Sequence, residues 1–135
     1  HQLILKNIDD DNAGRYRQQN VLISGATITP PDYTLLNDKM AQLIDWYNSE
    51  VHKLHPIERA AKVHADFVGI HPFIDGNRRT SRLLMNLELL KAGYPPCVIT
   101  VENRLAYYEA LDQWIAYGKT EAFIQLVSED LIRLY

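Results

Sequence analysis

Twelve consecutive residues, His71-Pro72-Phe73-Ile74-Asp75-Gly76-Asn77-Arg78-Arg79-Thr80-Ser81-Arg82, hold a histidine, a carboxylate, a Gly-Asn turn and three arginines before the chain enters an apolar run. Histidine titrates near neutrality, so it can take a proton from an attacking hydroxyl. A carboxylate such as Asp75 can hold Mg²⁺ while water and phosphate oxygens complete the shell. A turn that opens a helix points backbone N–H groups at an anion, and arginine forks add fixed positive charge. Arg79 and Arg82 are three residues apart, hence neighbours on one helical face near its positive end. Two arginines crowded there are unfavourable unless an anion lies between them. Read in order, these residues can move part of a nucleoside triphosphate onto a hydroxyl.

Plainer roles compete for the same residues. Asp75 can stabilise a turn before Gly76, and Asn77 can cap the helix that follows; both are compatible with chemistry. His64 reads as a packed core histidine, as a lone histidine on an apolar helical face usually is. Zinc held by His64, His71 and Asp75 is disfavoured, since the only cysteine is Cys97 and no compact His/Cys ligand set exists. Phe73 reads as packing. Tyr107 and Tyr108 read as core or rim aromatics, although a ring there can flank an adenine, and Tyr107 is counted with the nucleotide contacts on that ground.

The elements that must position this motif are mostly helical. Leu3, Ile4, Leu5 and Ile8 predict a short helix ending near the acidic run Asp9-Asp10-Asp11. Val21-Leu22-Ile23, Ser24-Gly25 and Ala26-Thr27-Ile28-Thr29 predict a short β-hairpin closed by Pro30-Pro31, the single convincing β segment. From Asp32 onward the apolar periods are helical. Leu36, Met40, Leu43 and Tyr47 share a face of the first long helix. A second starts near Pro56, a residue favoured in a first turn, and its stripe of Ile57, Ala61, His64 and Val68 carries His71 to the buried side at its C-terminal end. Leu83, Leu84, Leu87 and Leu90 predict a third helix, ended by Gly93 and Pro95-Pro96. Leu105, Tyr108, Leu111 and Ile115 mark a fourth, and Phe123, Val127, Leu131 and Leu134 a fifth, with Gly118 between them.

Composition bounds the class of protein. A chain of 135 residues fits one domain with a real core, and 47% hydrophobic with 23% charged residues is the profile of a globular domain. A net charge of -3 argues against a general nucleic-acid or anionic-membrane binder, so the motif's arginines form a local positive spot. One cysteine allows no intrachain disulfide, which favours a reducing compartment. No apolar run approaches membrane-spanning length. The chain begins with His1 rather than Met, as a fragment or processed chain would.

The run from His71 to Arg82 resembles the signature of Fic domains, a histidine-x-Phe-x-acidic-Gly-Asn-Gly-Arg-x-x-Arg pattern. Gly14-Arg15-Tyr16-Arg17, the hairpin ending in Pro30-Pro31, His55-Pro56-Ile57-Glu58, and the stretch from Arg82-Leu83-Leu84-Met85-Asn86 through Ala92-Gly93-Tyr94-Pro95-Pro96 look like the branch containing the animal endoplasmic-reticulum Fic protein and its bacterial relatives. The resemblance covers nearly the whole chain. It implies a single Fic core domain over residues 1–135, mostly α with one β-hairpin flap, acting as a protein adenylyltransferase. Such an enzyme moves AMP from ATP, with Mg²⁺, to a Ser, Thr or Tyr hydroxyl of a target protein.

Carried onto this sequence, the resemblance makes His71 the general base and Asp75 the Mg²⁺ ligand. Gly76 and Asn77 become an anion nest, Arg79 a phosphate ligand, and Arg82 the group that reaches the terminal phosphate. The hairpin becomes a flap whose Val21, Ile23 and Ile28 hold the target by strand-like pairing. ATP and a protein target are the implied partners, with no nucleic acid or membrane, and an oligomer is compatible. A bacterial, cytoplasmic location is the favoured expectation.

Two departures stand out. Arg78 replaces the signature's second glycine, which admits close approach of phosphate to backbone. Its side chain either fills that space or swings to solvent, and the intact motif around it favours solvent. The Doc branch carries a lysine there, binds its nucleotide reversed and transfers phosphate; phosphate transfer is therefore the second reading, and a non-catalytic nucleotide-binding module the third. The other departure is an absence. Many Fic proteins carry a Ser/Thr-x-x-x-Glu-Gly/Asn inhibitory helix whose glutamate pairs with the last arginine, here Arg82. No Ser or Thr of this chain has a glutamate four residues on, so an inhibitory segment or an antitoxin partner would have to reach Arg82 from outside these residues.

Overall fold

A computed structural model describes residues 1–23 and 29–134. Five α-helices follow a long N-terminal segment: α1 Leu36–Glu50, α2 Pro56–Ile70, α3 Asn77–Lys91, α4 Arg104–Tyr117 and α5 Glu121–Leu134, with single 3-10 turns at Tyr33–Leu35 and Val51–Lys53. α2 is the central element. Ala60, Ala61, Val63, His64, Ala65, Phe67, Val68 and Ile70 are all buried, so it is covered on most of its circumference. Alanines at 60, 61 and 65 let neighbouring backbones approach it closely, and Met85 and Leu89 of α3, Leu111 of α4, and Phe123, Val127 and Leu131 of α5 complete the main core. A second cluster, Leu36, Met40, Phe67, Ile70 and Phe73, joins α1 to the end of α2 and to the motif loop.

Local chemistry sets the ends of α2. Pro56 occupies the first turn, where its missing N–H costs no helical bond, and the His55 ring caps the helix by accepting from the Ile57 N–H at 3.1 Å. The other end is His71, which leaves the helix in the left-handed region (φ 51°) while its N–H still donates to the Phe67 carbonyl.

Several expectations change in the folded chain. Residues 2–8 form a series of turns instead of a helix, with Leu5 buried while Leu3 and Ile8 lie exposed. Val21–Ile23 and Thr29 carry no strand, and there is none among the described residues; residues 24–28, the turn of the expected β-hairpin and most of its second arm with Ile28, lie outside them, so the hairpin is not confirmed. The apolar stripe of α3 faces outward, with Leu83, Leu87 and Leu90 62%, 48% and 57% exposed. The buried face is instead Asn77, Ser81, Met85, Glu88 and Leu89. Both faces satisfy helical spacing. The side chosen is the one carrying Asn77 and Glu88, whose polar atoms find partners in the motif loop and at Tyr47. α4 is likewise rotated: Leu105 is exposed, and Tyr107, Ala110, Leu111 and Trp114 are buried. The expected face of α5 is buried at Phe123, Val127 and Leu131.

Candidate active site

The motif loop hangs between α2 and α3 and is fastened from three directions. Asn77, 3% exposed, accepts from the Phe73 N–H at 2.9 Å and returns a hydrogen bond from Nδ2 to the Phe73 carbonyl at 2.8 Å. This two-way lock shows why asparagine stands at 77: only an amide offers donor and acceptor side by side. Its side chain is thereby occupied, so what Asn77 can offer an anion is its backbone N–H.

The second fastening is His1. Its ring stacks on Phe73 with centroids 3.5 Å apart, Nδ1 accepts from the Gly14 N–H at 2.9 Å, and Nε2 lies 2.6 Å from the Asp75 carbonyl oxygen. Accepting at Nδ1 places the proton on Nε2, which then donates to Asp75. Gly76 lies against this ring. It adopts φ 79°, and a Cβ there would sit 3.2 Å from His1 Nε2, so both conformation and space call for glycine.

Arg17 is the third, at 3% exposure. Nε donates to the His71 carbonyl at 2.8 Å, Nη1 to the Gln19 carbonyl at 3.0 Å and Nη2 to the Pro31 carbonyl at 2.6 Å. Its backbone N–H also donates to the Pro72 carbonyl at 2.9 Å. One guanidinium thus ties the left-handed His71 to both ends of the segment expected to form the flap. The left-handed conformation costs a residue with a Cβ about 1–2 kcal/mol, and this bond helps hold it. Sequence reading assigned neither His1 nor Arg17 a role; the one hint was that Arg17 belongs to the Gly14–Arg17 run quoted for the family resemblance.

Held in this way, His71, Asp75, Gly76, Asn77, Arg78 and Arg79 line one cleft of about 300 Å³ together with Leu22, Ile23 and Ile74. His71 Nδ1 is buried without a hydrogen-bond partner, which leaves Nε2 as the nitrogen the cleft can reach. Burial, then the charges of Arg17 and Arg78, push the imidazole pKa down to about 4 against the pull of Asp75, so the ring is neutral at pH 7. The Asp75 carboxylate is exposed; Oδ1 accepts from the Gly76 N–H at 2.7 Å and Oδ2 lies 3.4 Å from Arg79 Nη2. No side chain caps the N-terminus of α3, whose first-turn N–H groups have no intrahelical acceptor, and its first three residues line the cleft.

No group of three or more His, Cys, Asp or Glu able to hold a metal occurs among the described residues. A lone exposed carboxylate beside uncapped N–H groups suits Mg²⁺ that arrives with phosphates and keeps most of its water.

Three expected nucleotide contacts are arranged differently from the sequence expectation. Tyr107 is 1% exposed and cannot flank a base; its hydroxyl lies 2.6 Å from His64 Nε2, and burial raises its pKa to about 12. The half-exposed ring is Tyr108. Arg78 does not swing to solvent: its guanidinium lies over Tyr108, 4.7 Å from the ring centre, with Nη1 donating to the hydroxyl at 2.9 Å. Arg82 is exposed, its guanidinium 5.9 Å from the Tyr107 ring, and is outside the residues lining the cleft. Of the flap residues, Ile23 lines the cleft, while Val21 lines a neighbouring hollow with Asn20, Thr29 and Pro30.

Residues 1–89 match the model of the Fic/DOC family. The chain is 42% identical over 112 residues to Protein adenylyltransferase fic-1 of Caenorhabditis briggsae, covering 82% of this chain and 22% of that protein. It is 43% identical over 129 residues to Protein adenylyltransferase Fic of Nematostella vectensis, covering 95% of this chain and 30% of the relative. The solved structure of residues 134–508 of Fic-1 from C. elegans superposes with a TM-score of 0.84 at 36% identity, covering 99% of this chain and 39% of that one. The chain thus spans under a third of the length of these two sequence relatives. With His71, Asp75, Gly76, Asn77 and Arg79 of its signature lining one cleft between α2 and α3, this chain belongs to the Fic/DOC family.

Proposed function

We propose that the chain is the catalytic core of a protein adenylyltransferase, moving AMP from ATP to a Ser, Thr or Tyr hydroxyl of a target protein. The observation that carries this is the cleft itself: a neutral imidazole, an exposed carboxylate and an uncapped helix N-terminus around one space. The names of relatives near 40% identity support it.

In this reading His71 Nε2 takes the proton from the target hydroxyl as its oxygen attacks the α-phosphorus. The new O–P bond forms while the bond to the bridging oxygen breaks, and pyrophosphate leaves. An imidazole with a pKa near 4 is a weak base by itself. The negative polyphosphate beside it would raise that pKa and offset the charges of Arg17 and Arg78. Asp75 would hold Mg²⁺, which when bound neutralises charge on the phosphates. The N–H groups of Asn77, Arg78 and Arg79 and the Arg79 guanidinium would hold the phosphates in place. Arg82 would take the terminal phosphate or, in its place, the carboxylate of an inhibitory segment. Leu22 and Ile23, which line the cleft, would meet the target segment through backbone that pairs in no sheet among the described residues.

Incubation with ATP, Mg²⁺ and a candidate target, followed by intact mass, tests the reading. A gain of AMP on a target or on the chain itself is expected. A gain of phosphate instead would make the chain a kinase, and no gain with any target while ATP binds would make it a nucleotide-binding module.

A further inference from the structure

The second residue of α3 has two places to put its guanidinium. Arg78 contributes to the cleft lining, and its backbone N–H is one of the first-turn donors, so the side chain starts within reach of any phosphate bound there. It lies instead on α4, with Cζ 4.7 Å from the centre of the Tyr108 ring and Nη1 2.9 Å from its hydroxyl. The contact joins a cation–π interaction to a hydrogen bond from a charged donor, and both are lost if the side chain swings back.

Tyr108 is a firm post for it. The neighbouring Tyr107 is fully buried, its ring 5.4 Å from that of Tyr108, and is pinned by His64, which stacks on Phe123. The Tyr108 ring thus lies against a side chain fixed by packing among α2, α4 and α5.

We infer that Tyr108 is a positioning residue that holds the Arg78 guanidinium off the phosphate cradle, so the first-turn N–H groups of α3 receive a polyphosphate in a single orientation. A bound polyphosphate competes for the guanidinium, which makes the hold consequential only when nucleotide is present. The inference rests on the adenylyltransferase reading for what is transferred, but not for where the guanidinium lies.

The test is Tyr108→Phe, which keeps the ring and removes the hydroxyl, made both in the native chain and with Arg78→Gly. ATP and adenosine affinities are measured by calorimetry for all four proteins, and AMP transfer by intact mass. Loss of a hydrogen bond to a charged group shifts such an equilibrium about tenfold or more. With Arg78 present, the freed guanidinium should tighten ATP binding, leave adenosine unchanged and lower kcat for AMP transfer about tenfold. With glycine at 78, removing the hydroxyl should change none of these.

Equal changes for ATP and adenosine would overturn the inference, because Tyr108 would then touch the nucleoside itself. The same loss with and without Arg78, or no change at all, would overturn it too. If none of the four proteins transfers AMP, the adenylyltransferase reading fails while the affinities still decide Tyr108. A rise in the ATP-to-adenosine affinity ratio confined to the chain with Arg78 upholds the inference, and a flat ratio sinks it.

Discussion

Replacing Arg17 by methionine should damage the site and the fold together, because one guanidinium serves both. Methionine is unbranched and can fill the stem's path, so the loss is chiefly of hydrogen bonds. Three carbonyls accept from the Arg17 guanidinium at 3.0 Å or less: those of His71, Gln19 and Pro31. Hydrogen bonds from a charged donor contribute about 1.5–3 kcal/mol each, but the freed carbonyls relax toward water, so about 3–5 kcal/mol in all is expected. For a domain of this size that lowers the melting temperature by roughly 10–20 °C. His71 also loses the bond to its own carbonyl that helps hold its left-handed backbone. A base displaced by an ångström costs about a hundredfold in rate, so AMP transfer at a temperature where the variant is folded should fall far more than ATP affinity. Urea unfolding, calorimetry and intact-mass kinetics read the three quantities. Arg17→Lys separates charge from geometry: a single ammonium cannot reach three carbonyls, so it should recover only part of the stability. A methionine variant melting within about 2 °C of the native chain would refute the reasoning.

His71→Ala should lower transfer by about 10²–10⁴-fold with ATP binding nearly intact; undiminished turnover would remove the imidazole from the chemistry. Asp75→Ala should abolish the Mg²⁺-dependent part of ATP affinity, seen by titration with and without the metal, and survival of that part would leave Asp75 a turn residue. Gly76→Ala forces a Cβ to 3.2 Å from the His1 ring at a positive φ, so a loss of about 1–2 kcal/mol from the conformation alone and a weaker grip on nucleotide are expected by melting and calorimetry. Acid should destabilise the fold between pH 6.5 and 4: burial depresses His64 to about 4, so as pH falls below 6.5 the unfolded chain binds a proton that the folded one refuses. His64, fully buried, should alone cost about 2 kcal/mol by pH 5, with a smaller addition from the half-buried His71; a urea midpoint unchanged from pH 7 to pH 5 would contradict this.

What the sequence determined by itself was the chemistry of the motif and the punctuation around it. That His71, Asp75, Gly76 and Arg79 belong to one site was legible because their types and spacing sit within nine residues, and local chemistry is written locally. Pro56 marked the start of α2 and Gly118 the end of α4 for the same reason. Which face of α3 and α4 is buried was decided only by the tertiary structure. Leu83, Leu87 and Leu90 keep helical spacing as well as Asn77, Ser81 and Met85 do, so periodicity alone could not choose between them. The side of Arg78, and the exchange of Tyr107 for Tyr108 at the surface, turned on that same rotation of α4. His1 and Arg17 were hidden for another reason. They hold the motif loop through backbone carbonyls 74 and 54 residues away, and every residue has a carbonyl, so no complementary side chain marks the pairing in advance. Only the folded chain brings those groups within reach.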